Sequence, residues 1–124
     1  MVLGLGVDLV EIERVERALT RWQERFVAKL MDPEEAAGLP GAGPERPLAL
    51  ARAIAGKEAA SKAIGTGWTR GVRWRDVVVD TNTPSVRLAG RALAFAGRLG
   101  SSGRGQLLLD RQDDLVVAEY RLFS

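Results

Sequence analysis

Two carboxylates, a lysine and a glycine-flanked threonine are the residues most able to do chemistry. Asp8 closes a strand-like run, and Glu58 sits in an alanine-rich helical stretch that continues into Lys62-Ala63-Ile64-Gly65-Thr66-Gly67. Paired carboxylates can hold a hard cation or move protons, and lysine beside a Gly-Thr-Gly turn can meet a phosphate. The chain has no histidine and no cysteine. That excludes imidazole acid–base catalysis, Ser-His-Asp and Cys-His nucleophiles, thiolate metal sites and a disulfide framework. Carboxylate, Lys, Arg, hydroxyl, backbone and hard-metal chemistry remain.

Each of these residues also has a plain structural reading. Asp8-Leu9-Val10-Glu11 has the pattern of a capping box for the helix that follows, and taken alone it favours a cap. Gly4 and Gly6 permit close approach of another backbone or a ligand, which favours a site. At about 100° per residue, Ala51, Ile54, Ala55, Glu58 and Lys62 share one side of a helix. Glu58 and Lys62 are spaced for an i,i+4 salt bridge. A half-buried glutamate among alanine and isoleucine needs more compensation than an exposed pair provides, and a metal shared with Asp8 would account for both acids. Gly65 suits a helix end, while Lys57 and Lys62 nearby suit an anion at the same turn.

The elements that must position these residues read as β-α-α-β-β-α-β-β. Residues 2–10 form a strand with Leu3, Leu5, Val7 and Leu9 on one face and Gly4, Gly6 and Asp8 on the other. Ile12, Val15, Leu19, Trp22, Phe26 and Leu30 mark one amphipathic helix of several turns. A Pro- and Gly-rich loop over 32–45 has room for a helical turn at 33–37, and Pro47 opens a second helix that stops at Gly65. Strands are expected over 72–80 and 85–88 about a turn containing Pro84, then a helix over 91–99. A hairpin of strands 106–109 and 115–123 about a polar turn at 110–114 ends the chain. The class is α+β, one domain over 1–124 with helices on an antiparallel sheet.

Hydrophobic residues make up 46%, charged residues 27%, and the formal net charge is +2, an ordinary globular balance that suits anionic partners. No apolar run reaches the ~18 residues of a membrane helix, so a soluble, cytoplasmic protein with no membrane partner is expected. Aromatics are only 6% and Trp22 and Phe26 fall on a helix's apolar face, which argues against a nucleic-acid partner.

Gly6-Val7-Asp8-Leu9-Val10-Glu11-Ile12 resembles the opening motif of the holo-(acyl-carrier-protein) synthases. Ala53-Ile54-Ala55-Gly56-Lys57-Glu58-Ala59, running on to Gly65-Thr66-Gly67, resembles their Arg-Phe-Ala-Ala-Lys-Glu-Ala block and its Gly-Thr-Gly extension. Trp74 to Val79 and the Pro84 turn fall where that family has a strand and a turn, so the likeness spans nearly the whole chain. It implies a homotrimer with sites between subunits, and transfer of 4′-phosphopantetheine from coenzyme A to a serine of acyl carrier protein. It also implies Mg²⁺ held by Asp8 and Glu58. Lys62, Gly65, Thr66, Gly67 and Pro84 would lie along the coenzyme, with Asp8, Glu58 and Lys62 as the catalytic group.

Two departures stand against the family pattern. The block's arginine is replaced by Ala53, with Arg52 one residue earlier, and the segment 107–114 lacks the family's usual serines and histidine. They support one rival, a non-catalytic relative that binds coenzyme A or carrier protein. On the first helix Arg14, Arg17, Arg21 and Arg25 fall in one arc, bordered by Glu13 and Glu24. Such arcs are mostly solvated faces. The resemblance makes this one the docking surface for the acidic carrier protein, with Arg14 involved.

Overall fold

The structure, a computed structural model, describes residues 1–124. Its first strand, β1 (Val2–Glu11), pairs antiparallel with β5 (Leu115–Phe123), which pairs in turn with β4 (Gly105–Gln112). The long helix α4 (Glu45–Ala63) packs on the inner face of this sheet. Glycine sets how closely: a Cβ at Gly4 would lie 2.0 Å from the Ala63 carbonyl oxygen, and one at Gly6 1.8 Å from that of Ala59. Any larger residue would lift the helix off the strand. Val116, Ala118, Tyr120 and Leu122 face inward from β5 and are fully buried. Burying each large apolar side chain here contributes about 1.5–3 kcal/mol.

Strand faces follow the expected alternation, but the apolar face is not the core face. Leu5, Val7 and Leu9 are 56%, 49% and 60% exposed, while Gly6 is buried against α4. Leu108 shares that outer face through the register Val7–Glu119–Leu108, and it too is exposed.

The expected single helix over 12–30 is two: α1 (Ile12–Trp22) and α2 (Glu24–Leu30). Gln23 breaks it with φ 50°, a left-handed conformation, and its N–H closes the first helix on Leu19 O at 2.8 Å. Trp22 is consequently 46% exposed rather than on the apolar face. The Pro- and Gly-rich loop carries the short α3 (Pro33–Ala36), capped by the Asp32 side chain on the Glu35 N–H at 2.9 Å.

A second, two-stranded sheet comes from β2 (Val77–Asp80) and β3 (Ser85–Leu88). The strand expected over 72–80 is thus shorter, because Trp74–Asp76 form a 3₁₀ turn closed by the buried Asp76 carboxylate on the Arg73 N–H at 3.0 Å. α5 (Gly90–Arg98) follows as expected. The final hairpin is tighter than the sequence pattern indicated: β4 runs on to Gln112, and Asp113, with φ 54°, makes the turn with Asp114.

Candidate active site

Asp8 does not cap α1. It sits within β1 opposite Ala118, and α1 begins only at Ile12. The hairpin turn supplies the cap instead: Asp114 O accepts the Ile12 N–H at 2.8 Å, and its carboxylate accepts the Glu13 N–H at 3.2 Å. Asp8 is therefore left on the same strand face as Gly4 and Gly6, turned toward α4.

There it meets Lys62. The ammonium donates to Asp8 Oδ1 at 2.8 Å and to the Val7 carbonyl at 3.1 Å. The Glu58–Lys62 salt bridge suggested by their spacing does not form, because Lys62 reaches across to the strand. Lys62 stays half-exposed, and its pKa is pushed up, first by the Asp8 hydrogen bond. Glu58 remains half-buried without an ion pair. Burial pushes its carboxyl up and Asp8 adds to that, while Lys62 and the Trp68 indole oppose it. The buried Trp68 N–H lies close enough to Glu58 to favour its charged form but falls short of hydrogen-bond geometry, and the Trp68 ring stacks on Trp74 at 4.0 Å. Nothing in the sequence pattern pointed to Trp68 except its place directly after the Gly-Thr-Gly turn.

That turn is only partly free. The Gly65 N–H is spent on Lys62 O at 3.1 Å, the Gly67 N–H on Ser61 O at 3.2 Å, and the Thr66 hydroxyl donates to Gly67 O at 3.0 Å. The backbone N–H groups of Thr66 and Trp68 are the ones left to face a ligand. Left-handed φ values at Gly65 (83°) and Gly67 (55°) make this sharp reversal available to glycine.

Lys57 is not part of this cluster, contrary to the reading that placed it by the anion turn. It is fully buried on another side of α4, ion-paired with Glu35 at 2.9 Å and donating to the Trp74 and Val77 carbonyls. Five residues separate it from Lys62, about 140° around a helix. Ala53 lies toward the Lys57 side, buried, and lines a cavity of about 490 Å³ with Asp80, Asn82, Ser85 and Arg87. Pro84 is exposed on the turn bordering that cavity, which includes none of Asp8, Glu58 or Lys62. Arg52 is half-buried and makes no ion pair.

On α1, Arg14, Arg17 and Arg21 are exposed, with Arg17 3.8 Å from Glu13. Arg25 lies beyond the break at Gln23, so the four do not share one helical arc. It nevertheless rejoins Arg21 over the Trp22 ring, their guanidinium carbons 5.9 and 4.8 Å from its centroid.

The family model for the 4′-phosphopantetheinyl transferase superfamily matches residues 4–118. The chain belongs to that superfamily. It is 42% identical over 115 residues to the holo-[acyl-carrier-protein] synthase of Alkalilimnicola ehrlichii, covering 90% of each protein. The crystal structure of holo-[acyl-carrier-protein] synthase from Neisseria meningitidis superposes with TM-score 0.82 at 30% identity, covering all of both chains. A Bacillus anthracis synthase in complex with CoA (3′,5′-ADP) superposes at 0.70, with 26% identity over 98% of this chain and 96% of that one. As a member of the superfamily, the chain presents its Asp8–Glu58–Lys62 cluster where β1 and α4 meet.

Proposed function

We propose that the chain is a holo-(acyl-carrier-protein) synthase acting at the Asp8–Glu58–Lys62 cluster. It transfers 4′-phosphopantetheine from coenzyme A to a serine of acyl carrier protein. The observation that carries the site assignment is Lys62 of α4 bonded across to Asp8 of β1, one turn along the helix from a half-buried Glu58 that has no ion pair and feels the Asp8 charge. Two carboxylates without a third acidic ligand suit Mg²⁺, which takes one or two carboxylates and completes its shell with water and phosphate oxygens. When bound, the ion supplies charge stabilisation on the coenzyme's pyrophosphate.

The chain's own groups do the rest. Asp8 and the Val7 carbonyl orient the Lys62 ammonium, whose half-exposed position lets it share a donor with a phosphate oxygen. The free N–H groups of Thr66 and Trp68 add neutral donors at the turn. The serine oxygen forms the new bond to the phosphorus bearing the pantetheine arm, the bridging P–O bond breaks, and adenosine 3′,5′-bisphosphate leaves. The serine proton passes to solvent or to a carboxylate at the site. Positioning and electrostatics supply most of such catalysis.

The uncovered apolar face of β1 supports a homotrimer, because exposed stripes of Leu and Val are normally covered by a partner. The valines of β2 do not contribute, since Val77 and Val79 are already buried within the chain. The exposed Pro84 turn and the cavity beside Ala53 lie apart from Lys62 within one chain, which agrees with a site completed between subunits. Transfer of label from coenzyme A to apo-carrier protein with Mg²⁺ tests the activity; none at any Mg²⁺ concentration would reject it. Sedimentation equilibrium showing an active monomer at micromolar concentration would reject the trimer.

A further inference from the structure

Three arginines converge on one ring away from the Asp8–Glu58–Lys62 cluster. The guanidinium carbons of Arg70, Arg91 and Arg98 lie 6.0, 5.5 and 4.6 Å from the Phe95 centroid. None of the three forms an ion pair, whereas neighbouring Arg73 is committed to Asp76 at 2.9 Å. No acidic residue occurs from Thr81 through Leu109, against Arg87, Arg91, Arg98 and Arg104, and the carboxylate that the fold brings against Gly90, that of Asp76, is taken by Arg73. Like charges gathered without compensation repel, so this cluster is held by its surroundings.

The holding is specific. The Arg91 Nε donates to the Arg70 carbonyl at 2.7 Å. Arg70 itself adopts φ 59°, and Gly71 follows at φ 81°, where a Cβ would lie 2.8 Å from the Arg91 side chain. Phe95 is buried beneath, while Arg70, Arg91 and Arg98 are themselves exposed, so the ring gathers three guanidinium groups that remain open to solvent.

Neither main cavity reaches these three residues, so the patch is an open surface rather than a ligand pocket. Leu99, 43% exposed, borders it next to Arg98. Arginines beside an exposed leucine suit an acidic, partly apolar protein surface, and the buried Phe95 offers no ring face on which a nucleotide base could stack. Arg70 also follows the Gly-Thr-Gly turn by only three residues, so at most about 11 Å of chain separates the two.

We propose that Arg70, Arg91 and Arg98 form a second docking patch, separate from α1, for the acidic carrier-protein substrate. This rests on the function proposed above. The test is steady-state transfer by Arg91→Glu with Arg98→Glu, after circular dichroism confirms the fold. KM for carrier protein should rise about tenfold while KM for coenzyme A stays within about twofold, and the salt dependence of the rate at low carrier protein should flatten. Arg91→Gln with Arg98→Gln should move the same quantities less. Unchanged carrier-protein kinetics in the folded double reversal would overturn the patch, as would a rise confined to KM for coenzyme A. So would lost affinity for a single-stranded oligonucleotide with carrier kinetics intact. An inert wild type would instead overturn the proposed function; binding of fluorescently labelled carrier protein would then decide the patch, supported if the reversal weakens binding and overturned if it does not.

Discussion

Lys57 and Lys62 lie five residues apart on one helix and do opposite things. Lys57 is sealed: its ammonium is shared among Glu35 and two carbonyls, and it ties α4 to α3, β2 and the 3₁₀ turn before it. Burial lowers its pKa, and the Glu35 carboxylate works against that. Glu35 in turn accepts the Val79 N–H at 3.0 Å, so both charges are spent inside the protein. Lys62 is open: half-exposed, held by one strand carboxylate, and next to a glutamate with no ion pair. A closed charge network fixes a fold, whereas an open one with a carboxylate to spare can accept a ligand.

The sharpest way to break this contrast is to remove the acids of the open region. Asp8→Ala and Glu58→Ala should each lower transfer by about a thousandfold or more, as expected of residues proposed to hold Mg²⁺ at the reacting phosphate. Thermal unfolding should move little, because the Asp8–Lys62 pair across β1 and α4 is half-exposed and Glu58 makes no ion pair. Near-normal turnover at saturating Mg²⁺ would remove that residue from the site.

The closed region should behave in reverse. Lys57→Met leaves Glu35 buried without its cation and should cost roughly 3–5 kcal/mol of stability, read as a lower denaturation midpoint. Adding Glu35→Leu should restore much of that loss, as apolar replacement of a buried pair often does. A Lys57→Met protein as stable as wild type would mean the pair is not sealed.

Tyr120 sharpens the meaning of burial without a partner. Its hydroxyl is buried and unpaired, accommodated where a Cβ at Gly105 would lie 2.0 Å from it. Burial raises its pKa from 10.0 to about 12. Because the folded pKa lies above the unfolded one, the stabilisation is full below pH 10 and falls as pH rises toward 12. The loss should reach roughly 2–3 kcal/mol. Tyr120→Phe should be neutral or slightly stabilising at pH 7 and should show less alkaline destabilisation. An identical alkaline transition in the variant would show that Tyr120 does not titrate with unfolding.

Much of this was legible in the sequence because it is local. The alternation of β1, the Gly65 helix stop and the short helix after Asp32 each follow from neighbouring residues. The break at Gln23 was not, since no glycine or proline marks it and a non-glycine residue takes the left-handed φ. Lys57 was misplaced because its partner, Glu35, is 22 residues away. The cap on α1 was hidden for the same reason: it comes from Asp114, at the far end of the chain. Asp8 and Glu58 were legible as acids worth watching, but their pairing came from family resemblance, and the glycine-permitted contact of β1 with α4 gives its physical basis.

A smaller effect is expected on α1, which the family resemblance makes a docking surface. Arg14→Glu with Arg21→Glu should raise KM for carrier protein about tenfold and leave KM for coenzyme A nearly unchanged. Arg25→Glu should add less, since it lies past the helix break. Unchanged carrier-protein kinetics would make α1 a solvated face.

The central claim, that Asp8 and Glu58 act together on a metal-bound coenzyme, is tested most directly by calorimetric titration of coenzyme A with and without Mg²⁺. Wild-type protein should bind the coenzyme more tightly with the ion, and Asp8→Asn and Glu58→Gln should each erase that gain. Full Mg²⁺ dependence surviving in both variants would contradict the account.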